Sequence, residues 1–385
     1  MGSQIKLRYQ LSSTYGLGGD IMKLQSSTFG ILGIPVDEFA LDQVVSEIDR
    51  AVVDHRKFLI STVNTNFLVN SRLSERFRQS LMHSDLCTVD GIGMLLMCRL
   101  AFVGKITRVS GADLMEKLLD RKHSQIGRPL RIFFFGGNQA VADKARHVTN
   151  RMRSSSICCV GSLNPGFGSM EELSRPEVIK IINDAHPDFL VAALGAERGQ
   201  EWLMRNRASL NVPVCAHLGA AVNFVAGSVQ RAPGRWQNYG FEWLWRIRQE
   251  PALARRYSRD GLIFLRLLLA DALPTTLAQL CDRIWLAIKP QPLHGKIDTQ
   301  GQTTIVTLQG AAVASAEALS EIFDDALSSD KTVTLDCSAL HAVDPASIGQ
   351  IMRLERNLFA RGHGLILRQV PRGLGHSLYP YKAVA

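Results

Sequence analysis

The chain has 385 residues, 46% hydrophobic and 21% charged, which excludes wholesale disorder and leaves room for two domains with a sizeable core. A net charge of +9 favours anionic partners (nucleotides, pyrophosphates, phospholipids or nucleic acid) without choosing among them. Seven cysteines (87, 98, 158, 159, 215, 281 and 337) make no C-x-x-C pair and no metal spacing, so buried reduced thiols and a cytosolic compartment are expected. Residues 1–28 are polar, Gly- and Ser-containing and read as a poorly ordered lead-in. Lys6 and Arg8 precede no long apolar core, so no signal peptide is read, and no uncharged apolar run reaches about 18 residues, so no clear transmembrane helix is expected.

From Phe29 short apolar strands alternate with amphipathic helices. Strands are expected near 29–35, 57–62, 86–89, 131–136, 157–161, 188–194 and 213–218. Helices are expected over 40–54, 66–82, 92–101, 111–122, 139–153, 170–185 and 199–208. This rhythm predicts an α/β fold, a Rossmann-like, mostly parallel sheet with helices on both faces. Its strand ends share a signature: Thr62-Val63-Asn64, Asp90-Gly91, Gly136-Gly137, Gly195-Ala196 and Gly219-Ala220. Ligands of open α/β sheets bind outside the carboxyl ends of the strands. Glycines there let backbone N–H groups approach phosphate oxygens. A lone glycine is an ordinary turn residue, and a lone Asp90 an ordinary helix cap; five such strand ends together predict a nucleotide-type cleft. Gly136-Gly137 lacks the full G-x-G-x-x-G fingerprint, which disfavours a nicotinamide dehydrogenase.

Residues 227–270 differ in character. Eight arginines (231, 235, 246, 248, 255, 256, 259 and 266) stand against Glu242, Glu250 and Asp260, a local charge of +5, beside Trp236, Trp243 and Trp245. Pro251 is expected to divide this segment into helices near 240–249 and 252–258. Gly261 to Leu273 is nearly all apolar. Arg beside Trp and a leucine-rich face suits an interfacial helix on an anionic membrane, and equally a surface helix with a solvated basic face. Aromatics confined to these helices argue against nucleic acid. Residues 274–295 read as a short amphipathic helix and linker. A second α/β domain follows, with strands over 303–308, 332–336 and 364–369 and helices over 314–328 and 345–361.

Residues about 29–270 resemble the WecG/TagA/CpsF glycosyltransferases. The likeness is carried by Thr62-Val63-Asn64, Val89-Asp90-Gly91-Ile92-Gly93, Arg108-Val109-Ser110-Gly111-Ala112-Asp113-Leu114, Phe134-Phe135-Gly136-Gly137, and Leu194-Gly195-Ala196 with Gln200-Glu201. It continues from Gly219 through Ala226-Gly227 to Arg231-Ala232-Pro233 and Glu242-Trp243-Leu244. The resemblance implies an inverting hexosyltransferase. It would move a sugar from a UDP-sugar to a polyprenyl-pyrophosphate-linked sugar in bacterial exopolysaccharide or surface polymer synthesis. It assigns Asp90 as general base, Thr62 and Asn64 to the catalytic cleft, and Arg108 to the leaving diphosphate. Gly136, Gly137, Gly195, Gln200, Gly219 and Asn223 fall on nucleotide- or sugar-binding positions, and Arg246 and Arg256 on a segment that closes over the site and meets the lipid. The family commonly has an acid where Asn223 stands and Pro-Lys where Glu197-Arg198-Gly199 stands, which leaves the donor sugar open. No Asp-x-Asp motif occurs in residues 29–270, so no cofactor and no metal are expected.

On this reading residues 29–230 form the nucleotide-sugar domain, 231–273 a membrane- and acceptor-facing helical appendage, 274–295 a helix and linker, and 296–385 a STAS-like domain. The last resemblance rests on Val333-Thr334-Leu335-Asp336-Cys337 and Ala342-Val343-Asp344-Pro345-Ala346-Ser347-Ile348-Gly349. STAS regulators carry a phosphorylated Ser just after the Asp; Pro345 fills that slot here, so a protein-docking or intramolecular role is expected instead. The expected location is cytoplasmic, peripheral on the inner face of the cell membrane. The alternative is a nucleotide-sugar-binding regulator that signals through the STAS-like part.

Overall fold

A computed structural model describes residues 27–121, 124–151, 156–238, 240–371, 374, 375 and 378. Nearly all of the expected lead-in, residues 1–26, lies outside the described residues. The described chain opens with a hairpin, β1 (Thr28–Ile31) and β2 (Ile34–Asp37). It continues through α1 (Leu41–Val53), β3 (Phe58–Val63), α2 (Thr65–Leu73), α3 (Glu75–Met82), β4 (Leu86–Val89), α4 (Ile92–Leu100) and α5 (Gly111–Asp120). Next come β5 (Leu130–Gly136), α6 (Gln139–Arg151), β6 (Ile157–Leu163), α7 (Met170–Leu173), α8 (Pro176–Asp184), β7 (Phe189–Ala193), α9 (Ala196–Asn206), β8 (Val214–His217) and α10 (Gly219–Val225). Four helices follow: α11 (Gly234–Asn238), α12 (Glu242–Gln249), α13 (Leu253–Leu267) and α14 (Leu273–Ile288). The C-terminal part holds β9 (His294–Gln300), β10 (Thr303–Ala312), α15 (Ala316–Ser328), β11 (Thr332–Val343), α16 (Pro345–Ala360) and β12 (Leu365–Arg368).

The chain folds as two compact units, each assembled from separated segments. The first comprises Phe39–Leu95 and Ile106–Phe264. Its centre is a six-stranded sheet, order β4-β3-β8-β7-β5-β6, parallel at every pairing. β3 is buried along its whole length, as a strand covered on both faces must be. On one face Leu59, Phe133, Phe135, Leu190, Trp202 and Cys215 form one core, with Phe135 and Trp202 ring centroids 4.2 Å apart. Because all six strands run the same way, their carboxyl ends share one edge, and α2, α4, α9 and α10 start from it.

Two expected helices are divided. The span 66–82 breaks at Ser74, whose Oγ accepts the Phe77 N–H at 3.3 Å and caps α3. The span 170–185 breaks before Pro176, which opens α8 at a position where no N–H is needed.

The second unit comprises the described residues up to Glu38, Leu96–Lys105, and the described residues from Leu265 onward. It holds a mixed four-stranded sheet, order β12-β11-β10-β9, in which only β9 runs antiparallel to its neighbour. Polar, exposed β9 carries no apolar alternation, so the sequence shows no strand there. The single strand expected near 29–35 is instead the hairpin, because Leu32 and Gly33 both take positive φ (49° and 83°) and reverse the chain in two residues.

The hairpin packs on α16. A Cβ on Gly349 would lie 1.8 Å from the Thr28 carbonyl oxygen, and one on Gly30 would lie 2.1 Å from Ile348 Cγ2. Buried Asp37 accepts from Thr28 Oγ1 at 2.6 Å and pairs with Arg356 at 3.4 Å. Gly349→Ala therefore drives a methyl into backbone that cannot step aside. It is expected to lower unfolding free energy by about 2–3 kcal/mol, read by urea denaturation. Asp344 caps α16 through the Ser347 N–H at 2.8 Å, and Ser347 is wholly buried.

α13 and α14 run on through a π-helical turn at Leu268–Ala272, so Pro274 sits in a first turn and breaks nothing. The result is one helical stretch, Leu253–Ile288, of 36 residues, long and apolar enough by length and composition to cross a membrane. No long uncharged run marks it in the sequence, because Arg266, Asp271, Asp282 and Arg283 interrupt it. Within the second unit one face of α14 is pinned to protein: Thr276 Oγ1 donates to the Leu100 carbonyl at 2.9 Å, and the Arg283 guanidinium lies 4.5 Å over the Phe102 ring. Another face is bare, with Leu273, Leu277, Leu280, Ile284 and Ile288 of α14 exposed at helical spacing, as is Leu269 in the π-helical turn before it.

Candidate active site

The site is built where β3 and β4 end side by side. The Asp90 N–H donates to the Val63 carbonyl at 2.7 Å, extending the β3–β4 ladder by one residue. Gly91, at φ 92°, then turns the chain into α4, whose first residue is Ile92; the residue next to the helix is thus Gly91, with Asp90 one position further out. On β3, Thr62 stands opposite Thr88 and is buried. Asn64 caps α2, its Oδ1 accepting the Phe67 N–H at 3.1 Å, and its side chain lies close enough to Asp90 to favour the ionised carboxylate. Thr62, Asn64 and Asp90 thus meet at one corner of the sheet edge.

Arg108 reaches this corner because its backbone bridges Val89 in parallel, with the Val109 N–H donating to the Val89 carbonyl at 2.8 Å. Its guanidinium is held by Asp113 at 3.0 Å and Glu242 at 3.3 Å. Arg231 joins the same acids, 2.6 Å from Asp113 and 3.8 Å from Glu242, with Glu116 at 2.7 Å. Burial pushes the Asp90 carboxyl up to about 7; Glu242 and Asp113 push the same way, while Arg108 and the Asn64 side chain oppose them. Asp113 goes the other way: burial raises it, but hydrogen bonds from Ser110 and Arg231 and the two arginine charges outweigh that. One carboxyl poised near neutrality, with Asp113 held ionised close by, is an arrangement suited to a general base.

The rest of the edge is glycine-lined. Gly136 (φ 92°), Gly137 (φ 74°) and Gly195 (φ 84°) adopt backbone that side chains disfavour. A Cβ on Gly136 would meet the Ala193 carbonyl oxygen at 3.0 Å, and one on Gly219 would lie 3.7 Å from Ala193 Cα, so β5, β7 and α10 converge there. Gln200 is fully buried beneath this surface, its Nε2 donating to Ser61 Oγ. Asn223 lies half-buried on α10, its carbonyl accepting from the Ser228 N–H and Oγ, both at 3.0 Å.

The arginine-rich helices of this unit lie over the β3–β4 corner. A Cβ on Gly240 would fall 2.7 Å from Ile92 Cβ, and one on Gly93 would fall 3.3 Å from the Phe264 ring. Asn66 Nδ2 donates to buried Asp260 at 2.7 Å. Arg246 pairs with Glu250 at 3.1 Å and sits 5.9 Å over the Phe224 ring of α10, beside Asn223. Arg256 is exposed on α13, 5.3 Å over the Tyr257 ring, and no hydrogen bond or ion pair ties it to the strand ends among the described residues. Glu242 and Arg231 stand in the motifs quoted above, yet the pairing of Arg108 with Glu242 spans 134 residues of sequence and has no local signal. His217, at the end of β8, stands in none of those motifs. Among the described residues, no group of three or more His, Cys, Asp or Glu side chains is placed to hold a metal ion.

A parallel sheet with a buried carboxyl, an arginine and positive-φ glycines gathered at its carboxyl edge is the arrangement of an α/β protein that binds its ligand at that edge. The chain belongs to the WecG/TagA/CpsF family of glycosyltransferases, whose sequence pattern covers residues 29–277; a STAS domain of the Mlab type covers residues 296–379. A relative is the N-acetylglucosaminyldiphosphoundecaprenol N-acetyl-beta-D-mannosaminyltransferase of Bacillus spizizenii (strain ATCC 23059 / NRRL B-14472 / W23). It is 25% identical over 218 residues, 56% of this chain and 81% of that protein.

Proposed function

We propose that the protein is an inverting transferase that moves a hexose-type sugar from a UDP-sugar to a sugar carried on a polyprenyl diphosphate. The observation that carries this reading is the Asp90 carboxyl, pushed up to about 7 at a strand end and flanked by Asn64 and Arg108. In the reaction the acceptor hydroxyl oxygen attacks the anomeric carbon as Asp90 takes its proton. The bond from that carbon to the diphosphate oxygen breaks with its electron pair, and UDP leaves with inversion. Arg108, released from Glu242, is the cation at hand for the developing charge. The B. spizizenii relative is named for transfer of N-acetylmannosamine to an undecaprenyl-diphosphate N-acetylglucosamine, so that donor and that acceptor are the first to try.

The test is UDP release with UDP-N-acetylmannosamine, UDP-glucose and their uronic acids, using lipid-diphosphate N-acetylglucosamine as acceptor. Turnover with one donor, unchanged by EDTA, is expected. Absence of UDP release with every donor overturns the transferase reading, and UDP binding without turnover favours the regulatory alternative. Loss of activity in EDTA overturns the metal-independent reading.

The bare face of α14 fits a peripheral membrane contact, since a helix pinned along one side by Thr276 and Arg283 presents its leucines on the other. Leu269→Glu with Leu277→Glu is expected to weaken binding to anionic liposomes at least tenfold in a flotation assay, because each leucine is worth about 1.5 kcal/mol or more when buried in lipid. Unchanged flotation would dismiss the contact.

A further inference from the structure

His217 ends β8, the strand flanked by β3 and β7 near the middle of the six-stranded sheet. Its ring is buried, and its Nε2 has no hydrogen-bond partner. The space around it is made by missing side chains. A Cβ on Gly199 would fall 2.2 Å from the imidazole Cδ2, so the ring occupies the room that a side chain at residue 199 would take. A Cβ on Gly219 would lie 3.5 Å from Nε2, which puts that nitrogen beside the start of α10. The ring of Phe67 closes a further side at 6.2 Å between centroids. The neighbour of Gly199, Gln200, is fully buried, and its Oε1 also lacks a partner. Two orphaned polar atoms thus lie buried just beneath the carboxyl edge of the sheet, one on the last residue of β8 and one in α9, the helix that starts after the positive-φ Gly195. A buried polar atom left unpaired costs about 1–3 kcal/mol, so such atoms in a cleft point to a ligand that completes them.

Charge and distance select which part of the ligand. Desolvation pushes the His217 imidazole down to about 4, so it is neutral at ordinary pH and suits a neutral donor or acceptor rather than a phosphate. β8 lies two strands from β4, which carries Asp90, roughly 10 Å at about 4.8 Å per strand. That is too far for the carbon under attack and matches the reach from a transferred sugar across a diphosphate to its nucleoside. Resting on the transferase reading above, we propose that His217 is a positioning residue for the donor, its Nε2 hydrogen-bonding a neutral group of the nucleoside moiety. The base Asp90 and the nucleoside anchor would then hold the two ends of the UDP-sugar along one sheet edge.

The test is UDP and uridine binding by calorimetry to the full chain, wild type against His217→Ala, His217→Gln and Gly199→Ala, with donor KM and kcat measured alongside. His217→Ala is expected to weaken both ligands about tenfold and to raise the donor KM with little change in kcat. His217→Gln, which keeps a neutral hydrogen-bonding group, is expected to recover part of the loss. Gly199→Ala displaces the ring and should weaken binding while His217 remains, which serves if the alanine variant does not fold. Unchanged UDP affinity in His217→Ala or Gly199→Ala overturns the proposal, as does a fall in kcat at constant KM. A wild-type protein that binds neither UDP nor any UDP-sugar overturns the donor reading itself, a result distinguishable from the first because it needs no variant.

Discussion

Asp90→Asn is expected to lower turnover by about 10²–10⁴-fold while leaving UDP affinity within about twofold of wild type. Asparagine matches aspartate in size and keeps a side-chain oxygen that accepts hydrogen bonds, so a structural role at the strand end would survive the change and a proton-accepting role would not. The same substitution carries a second signature. The folded protein holds the Asp90 carboxyl near 7, against about 3.9 in an unfolded chain, so the native state binds the proton more tightly. The stability this gives is fully present below the unfolded value and is lost as pH rises through about 7. Above that pH the ionised carboxylate is a net cost that asparagine removes. Urea denaturation at pH 8 should therefore find Asp90→Asn more stable than wild type by about 1–3 kcal/mol, with the difference shrinking toward pH 4. A variant that loses activity and also stability at pH 8 would point to damage at the sheet edge instead.

The pH profile gives the other large effect. With a base that ionises near 7, kcat/KM should rise with pH and level off above it, its acid limb centred near 7. Glu242 raises Asp90, so Glu242→Gln should move that limb down by about half a unit to one unit. Arg108 lowers Asp90, so Arg108→Gln should move the limb up. Arg108→Gln should also cut the plateau by about 10²–10³-fold through loss of charge at the leaving diphosphate. The two variants thus shift the limb in opposite directions, and only one lowers the plateau heavily. A limb that stays put in both would separate Asp90 from the ion-pair network of Arg108, Asp113, Arg231 and Glu242, and a plateau untouched by Arg108→Gln would remove Arg108 from the diphosphate.

Much of this was legible in the sequence because it is local. Apolar strands ending in Asp90-Gly91 or Gly136-Gly137 declare a parallel sheet and its working edge, since period, turn chemistry and strand polarity are written in adjacent residues. The likeness over residues 29–270 singles out Asp90 for the same reason: its motif is contiguous. The hairpin was missed because Leu32-Gly33 is an unusual pair for so tight a turn, and β9 because an edge strand with no buried side needs no apolar pattern. The long helix through Leu268–Ala272 was missed because a π-helical turn admits Pro274 where sequence rules end a helix.

The sequence by itself determined the class of fold, the family and the strand ends that form one edge, all properties of short runs of residues. Only the tertiary structure decided what surrounds them. Arg108 is shared between Asp113 and Glu242, 134 residues apart from the latter. Gln200 lies beneath the cleft surface, and the His217 ring fills the space left by Gly199. The physical reason is that burial and Coulomb interaction depend on distance in space, which sequence spacing does not fix. The shift of Asp90 to about 7 is the sum of those distances, so it could be read only once the strands had been placed side by side.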